Sequence, residues 1–185
     1  SELEKELDRL EIQQRYKDLE TDKSDQRWLK KMSRTIEYAY QKTPYYKATV
    51  PPILDILSKH SGSVCHTNLE LIECIKKMLH LETTLLMSSD MNIDSSATDR
   101  LINLTKFAKG NSYLSGDGAD DYQETDKFQS SGITLKKLGF KHPEYPQHNE
   151  GVFTPGLTII DALCNAGAAV TREMLVGSAK GENYV

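Results

Sequence analysis

Along the chain, apolar positions fall into two kinds of pattern. Trp28, Met32, Ile36, Ala39 and Tyr40 recur at about 3.6 residues, which predicts a helix over 28–43 that stops before Pro44. Proline suits a first helical turn, so Pro51 and Pro52 predict a second helix that ends near Ser61-Gly62. Thr67-Asn68-Leu69-Glu70 has capping-box spacing and predicts a third start, with Ile72, Ile75 and Leu79 facing inward. Ahead of these, residues 1–26 are dense in charge, with Leu3, Leu7 and Leu10 forming a narrow stripe. They are expected to be a lead-in helix or linker.

The pattern changes at residue 83. Thr83-Thr84-Leu85-Leu86-Met87 is a nearly continuous apolar run, expected to be a strand buried on both faces. Ser96-Ala97-Thr98-Asp99 should cap a helix whose stripe is Ala97, Leu101, Leu104 and Ala108, with Gly110 ending it in a left-handed conformation. Ser112-Tyr113-Leu114 predicts a strand, residues 124–131 a helix, and residues 133–138 an edge strand. A last helix over 157–165 should stop at Gly167. Strands alternating with helices imply an α/β fold with a small parallel sheet of about three strands and right-handed crossovers, preceded by a helical N-terminal half. The expected organisation is a lead-in over 1–26, a helical cap over 27–82, an α/β core over 83–170 and a tail over 171–185.

Composition narrows the function. With 185 residues, 38% hydrophobic and 27% charged, the chain has the make-up of a globular protein. No apolar run is long enough for a bilayer, so no membrane insertion is expected. A net charge of -4 offers no general footprint for nucleic acid. Cys65, Cys74 and Cys164 form no CxxC pair, which favours a reducing, cytoplasmic setting over a disulfide framework or thiolate metal site. The chain starts at Ser1 without signal-peptide character or an initiator Met, as expected of a processed, trimmed or incompletely represented chain.

In open α/β sheets, ligands bind beyond the carboxyl ends of the strands. Three predicted loops fall there: Ser88-Ser89-Asp90, Ser115-Gly116-Asp117-Gly118 through Tyr122, and His142-Pro143-Glu144-Tyr145-Pro146-Gln147. Gly116 and Gly118 would let backbone amides approach an anion or sugar, and a plain tight turn is the alternative. Asp117, Asp120 and Asp121 do not match a calcium loop, and no metal site is predicted. His142, beside Glu144 and two prolines, is a candidate general base or acid, against a hydrogen-bonded loop histidine. Asp161 would face either the site or solvent. Cys164 is expected to pack in the core, and Tyr45 and Tyr46 either stack on a sugar ring or pack inside.

Taken in order, residues 113–122, Gly132-Ile133, His142-Pro143-Glu144-Tyr145-Pro146-Gln147, Phe153 and residues 157–167 resemble the C-terminal motifs of the WbqC-like protein family. Trp28 with Arg34-Thr35-Ile36-Glu37-Tyr38-Ala39-Tyr40 and Pro44-Tyr45-Tyr46 is similar to that family's tryptophan-led helix. Two features differ. The family's opening His-Gln-Pro-x-Tyr-x-Pro-Trp segment is not seen, and Met32 stands where many members carry histidine.

The resemblance implies a bacterial transferase of acyl or aminoacyl groups, glycine among them, to an amino sugar in surface-polysaccharide (O-antigen) synthesis. His142 would be catalytic, with Ser88, Ser89, Ser115, Gly116, Asp117, Gly118, Tyr122, Tyr145, Gln147 and Asp161 binding substrate. The expected partner is a nucleotide-linked or amino sugar, with homo-oligomerisation left open. No cofactor is identified. A non-catalytic sugar- or nucleotide-binding subunit and a truncated remnant of the enzyme stay as alternatives, the second because the opening segment is unmatched.

Overall fold

Leu29, Met32 and Ile36 lie on one side of a helix, α1 (Arg27–Tyr40), and pack with Ile53 and Leu57. The structure, a computed structural model, describes residues 27–60, 62–116, 123–148 and 151–179, with side chains to residue 177. The expected lead-in over 1–26 lies outside the described residues. The chain divides into two units, Ser1–Glu82 with Glu144–Arg172, and Thr83–Pro143 with Glu173–Val185.

In the first unit, α2 (Tyr46–Ser58) starts well before the predicted prolines. Pro51 and Pro52 sit inside the helix on its exposed side, where the carbonyls they leave unpaired, on exposed Lys47 and Ala48, can bond water. Tyr45 organises the first turn: its N–H donates to the Cys164 carbonyl at 3.0 Å and its own carbonyl accepts from Thr49 N–H at 3.1 Å. Helix α3 (Val64–Met78) also starts early. The cap is Ser63, whose hydroxyl accepts from His66 N–H at 3.2 Å. Thr67, expected as the cap, is buried within the helix and donates to the Ser63 carbonyl at 3.0 Å. The core joins Leu29, Ile53 and Leu57 with Leu71, Met78 and Ile160.

In the second unit the sheet has two strands among the described residues, β1 (Ser112–Ser115) and β2 (Thr134–Lys137). They are parallel, with Ser112 opposite Thr134 and Ser115 opposite Lys137. The mixed α/β class and helical N-terminal half are as expected, but Thr83-Thr84-Leu85-Leu86-Met87 joins no strand. Leu85 and Leu86 are 39% and 52% exposed, so this apolar run lacks the cover that a doubly buried strand needs. A 3-10 turn, Ser88–Met91, follows, then α3's successor α4 (Ala97–Phe107).

The buried stripe of α4 is Thr98, Ile102 and Thr105, one position on from the predicted stripe. Both threonines are satisfied there: Thr98 Oγ1 accepts from Glu124 N–H at 3.2 Å, and Thr105 Oγ1 donates to the Leu101 carbonyl at 2.8 Å. The left-handed residue after α4 is Lys109, φ 56°, rather than Gly110.

Helix α5 (Thr125–Ser130) links the strands and closes at Gly132, φ 72°. Gly132 N–H donates to Gln129 and Ile133 N–H to Phe128, at 3.1 and 3.0 Å, the paired bonds of a Schellman end. That closure delivers Ile133 onto Phe128 in a core with Ile102.

The last helix, α6 (Ile159–Ala179), breaks at Gly167, φ 80° and ψ 165°, where the sequence predicted a stop, and is helical again beyond. A Cβ at Gly167 would lie 2.8 Å from the Tyr45 ring, which the Tyr45–Cys164 backbone bond holds in place. Gly167→Ala should therefore destabilise the fold by about 2 kcal/mol. Gly116→Ala, with nothing within 4 Å of the new carbon, should stay within about 1 kcal/mol of the parent in urea unfolding. Equal midpoints would show that the Gly167 break is not required.

Candidate functional site

The two parallel strands end on the same edge. β1 ends at Ser115 and Gly116 follows it; beyond β2 the chain runs through Phe140 to His142. Ser115 is buried, and its hydroxyl accepts from Gln123 Nε2 at 2.9 Å while lying 3.2 Å from the Gly116 carbonyl. It therefore ties Gln123 to the carboxyl end of β1. Gly116 is exposed with open space where a side chain would be. Asp117, Gly118 and Tyr122, with Asp120 and Asp121, lie outside the described residues.

His142 is exposed, its ring edge-on to Phe140 at 5.1 Å and 86°. Among the described residues it has no hydrogen-bond partner, so its position is set by Phe140 and by the proline that follows. Ser88 and Ser89 are exposed in the 3-10 turn, where Ser89 Oγ bonds Asp90 at 3.1 Å. No three His, Cys, Asp or Glu side chains among the described residues converge as metal ligands.

Three other predicted residues, Tyr145, Gln147 and Asp161, meet in the first unit. Asp161 stands in the first turn of α6 and is 7% exposed. Its Oδ2 accepts from the Tyr145 hydroxyl at 2.9 Å and from Gln147 Nε2 at 3.3 Å. The Gln147 amide also pairs with the Thr154 backbone in both directions, at 3.0 and 2.9 Å. Asn165, one turn after Asp161, donates to the Asp161 carbonyl and accepts from His148 N–H, both at 2.9 Å. Tyr145, Gln147 and His148 thus tie one loop to one helix. A carboxylate so occupied holds a loop in shape; it is poorly placed to take a proton from a ligand.

Two neighbours of this carboxylate, Tyr40 and Cys164, were not legible as site residues. Tyr40 reads as one more apolar position of α1, yet its hydroxyl is pushed up to about 12 by burial and, next, by the Asp161 charge. Cys164, fully buried, is pushed up to about 11 by burial, with Asp161 adding to the rise and the Thr43 and Thr49 hydroxyls opposing it. It is an inert core thiol, as the sequence suggested. Tyr145 is raised by burial first and by Asp161, against an opposing hydrogen bond from Gln147.

All three groups lose a proton on ionising and hold it more tightly when folded. Their contribution to stability is complete below the unfolded thiol and phenol values, near 9 and 10, and is lost as pH rises through about 11 and 12. The melting temperature should hold steady to about pH 9 and fall beyond it. Tyr40→Phe should make the fall above pH 10 shallower, and an identical alkaline profile would remove Tyr40 from the account. Asp161→Ala, which leaves the Tyr145 hydroxyl and Gln147 amide without their acceptor, should cost about 2–3 kcal/mol in urea unfolding. A loss under half of that would mean the loop holds without its carboxylate.

Comparison with known proteins places these residues in context. The model of the WbqC-like protein family matches residues 7–173. Uncharacterized protein Rv1507c of Mycobacterium tuberculosis is 26% identical over 144 residues, 76% of this chain and 62% of its own length. The chain therefore spans less than two thirds of that curated relative. No solved structure matches. No helix among the described residues is long and apolar enough to cross a membrane. With nearly its whole length inside the match, including β1, His142, Tyr145 and Asp161, the chain belongs to the WbqC-like protein family.

Proposed function

We propose that this chain is the sugar-handling part of an acyl or aminoacyl transferase that modifies an amino sugar in the cytoplasm during bacterial surface-polysaccharide synthesis. The observation that carries the reading is the parallel β1–β2 pair, whose carboxyl ends lead to exposed Gly116 and exposed His142. In this reading the sugar amine attacks the acyl carbon, the N–C bond forms and the bond to the donor's leaving group breaks. His142 takes the ammonium proton and returns it to the leaving group. The backbone amide of Gly116, next to the Ser115 hydroxyl that Gln123 holds, would receive the oxyanion.

A second reading, a non-catalytic binding subunit, is favoured by one detail. A general base is commonly oriented by a partner, and His142 has only the Phe140 ring among the described contacts.

The test is transfer of glycine from an activated glycyl donor to nucleotide-linked amino sugars, alongside thermal shifts with the same sugars. Binding by the native state should raise the melting temperature with one sugar class. His142→Ala should keep that shift and lower transfer by about 100-fold or more. Transfer unaffected by the substitution would remove His142 from the mechanism, and a saturable shift without transfer would favour the binding subunit.

A further inference from the structure

Helix α1 has two opposed faces. Leu29, Met32 and Ile36 are committed to the core. On the other side, Arg27, Lys30, Lys31, Arg34, Thr35 and Tyr38 line a surface groove of about 520 Å³. Their spacing, i, i+3, i+4, i+7, i+8 and i+11, is that of a single helical stripe. Four cations therefore stand side by side in two turns of a protein whose net charge is -4. At about 1.5 Å per residue the cationic stretch is about 10 Å long. The ion pairs of the described residues engage none of Lys30, Lys31 and Arg34. Tyr38 follows one turn on and is 83% exposed.

Like charges at these spacings repel, so the stripe costs the free helix stability and an anion would relieve that cost. The groove volume is that of a small-molecule site. Two turns of cations are too short a track for the six or more phosphates of a typical duplex contact, so the estimate of about 10 Å argues against nucleic acid. An amphipathic membrane anchor needs its apolar face outward, and that of α1 is buried.

We infer that the Arg27–Arg34 stripe of α1 binds the diphosphate of a nucleoside diphosphate, with Tyr38 stacking on the base or ribose. The nucleoside half of this assignment rests on the proposed use of a nucleotide-linked sugar; the diphosphate half rests on the stripe alone. Lys30 and Lys31 act as point charges, and the Arg34 guanidinium can bond two phosphate oxygens at once.

Calorimetric titration of the full chain with pyrophosphate and with uridine diphosphate separates the two halves. Both should bind saturably, and affinity should fall between about 50 and about 300 mM salt as exposed charges are screened. Lys31→Ala/Arg34→Ala, exposed or half-exposed positions outside the core, should weaken both ligands about tenfold or more. Tyr38→Ala should weaken uridine diphosphate about tenfold and leave pyrophosphate unchanged. Absence of saturable pyrophosphate binding, or affinities indifferent to the double substitution, overturns the site. Equal loss of both ligands in Tyr38→Ala overturns the stacking role. His142→Ala should leave both affinities unchanged, so a failed transferase reading and a failed stripe give different results.

Discussion

In the first unit, everything after residue 144 hangs on the carboxylate of Asp161. It is buried, and its Oδ2 accepts from a tyrosine hydroxyl and a glutamine amide of the loop that precedes its own helix. A buried charge is tolerated only when surrounding donors replace water, and here those donors come from residues that would otherwise have no reason to meet. Burial first, and the same charge in addition, raise its neighbours Tyr40, Tyr145 and Cys164. The backbone bond from Tyr45 to Cys164 and the close seat of the Tyr45 ring on Gly167 complete the arrangement one and two turns further along α6. One acid thus fixes the course of a loop and adds to what burial does to the groups around it.

The second unit is organised by different means. Its core of Ile102, Phe128 and Ile133 is small, and the strand pair is only four residues long. Position comes from a left-handed glycine after α5 and from three hydroxyls: Thr98 accepts from the Glu124 N–H, Thr105 donates to the Leu101 carbonyl and Ser115 accepts from the Gln123 amide.

How much of this was legible in the sequence follows from how local each determinant is. The strands at Ser112 and Thr134, the short helix between them and the break at Gly167 are written in nearby residues, and they stand where periodicity and glycine placed them. The starts of α2 and α3 were displaced because prolines and a capping box compete with other signals, here the Tyr45 anchor and the Ser63 cap. The run over 83–87 failed as a strand because an apolar pattern says nothing about whether a cover exists. Tyr145 and Gln147 were named for their place after a predicted strand and Asp161 as a residue of the last helix, but what joins them is a hydrogen-bond network that periodicity cannot express. The cationic stripe, plain once α1 is drawn as a helix, was hidden by reading net charge over the whole chain.

The first unit is discontinuous in sequence, and that has a bearing on its synthesis. Tyr40 and Tyr45 leave the ribosome more than a hundred residues ahead of Asp161, Cys164 and Gly167. The β1–α5–β2 element, by contrast, pairs residues about two dozen positions apart and needs nothing made after it. Contacts that are near in sequence form fast, and distant ones wait on loop closure. The nascent helices α1 to α3 must therefore persist with an unfinished flank while residues 83–143 are made, until the first part of α6 closes it.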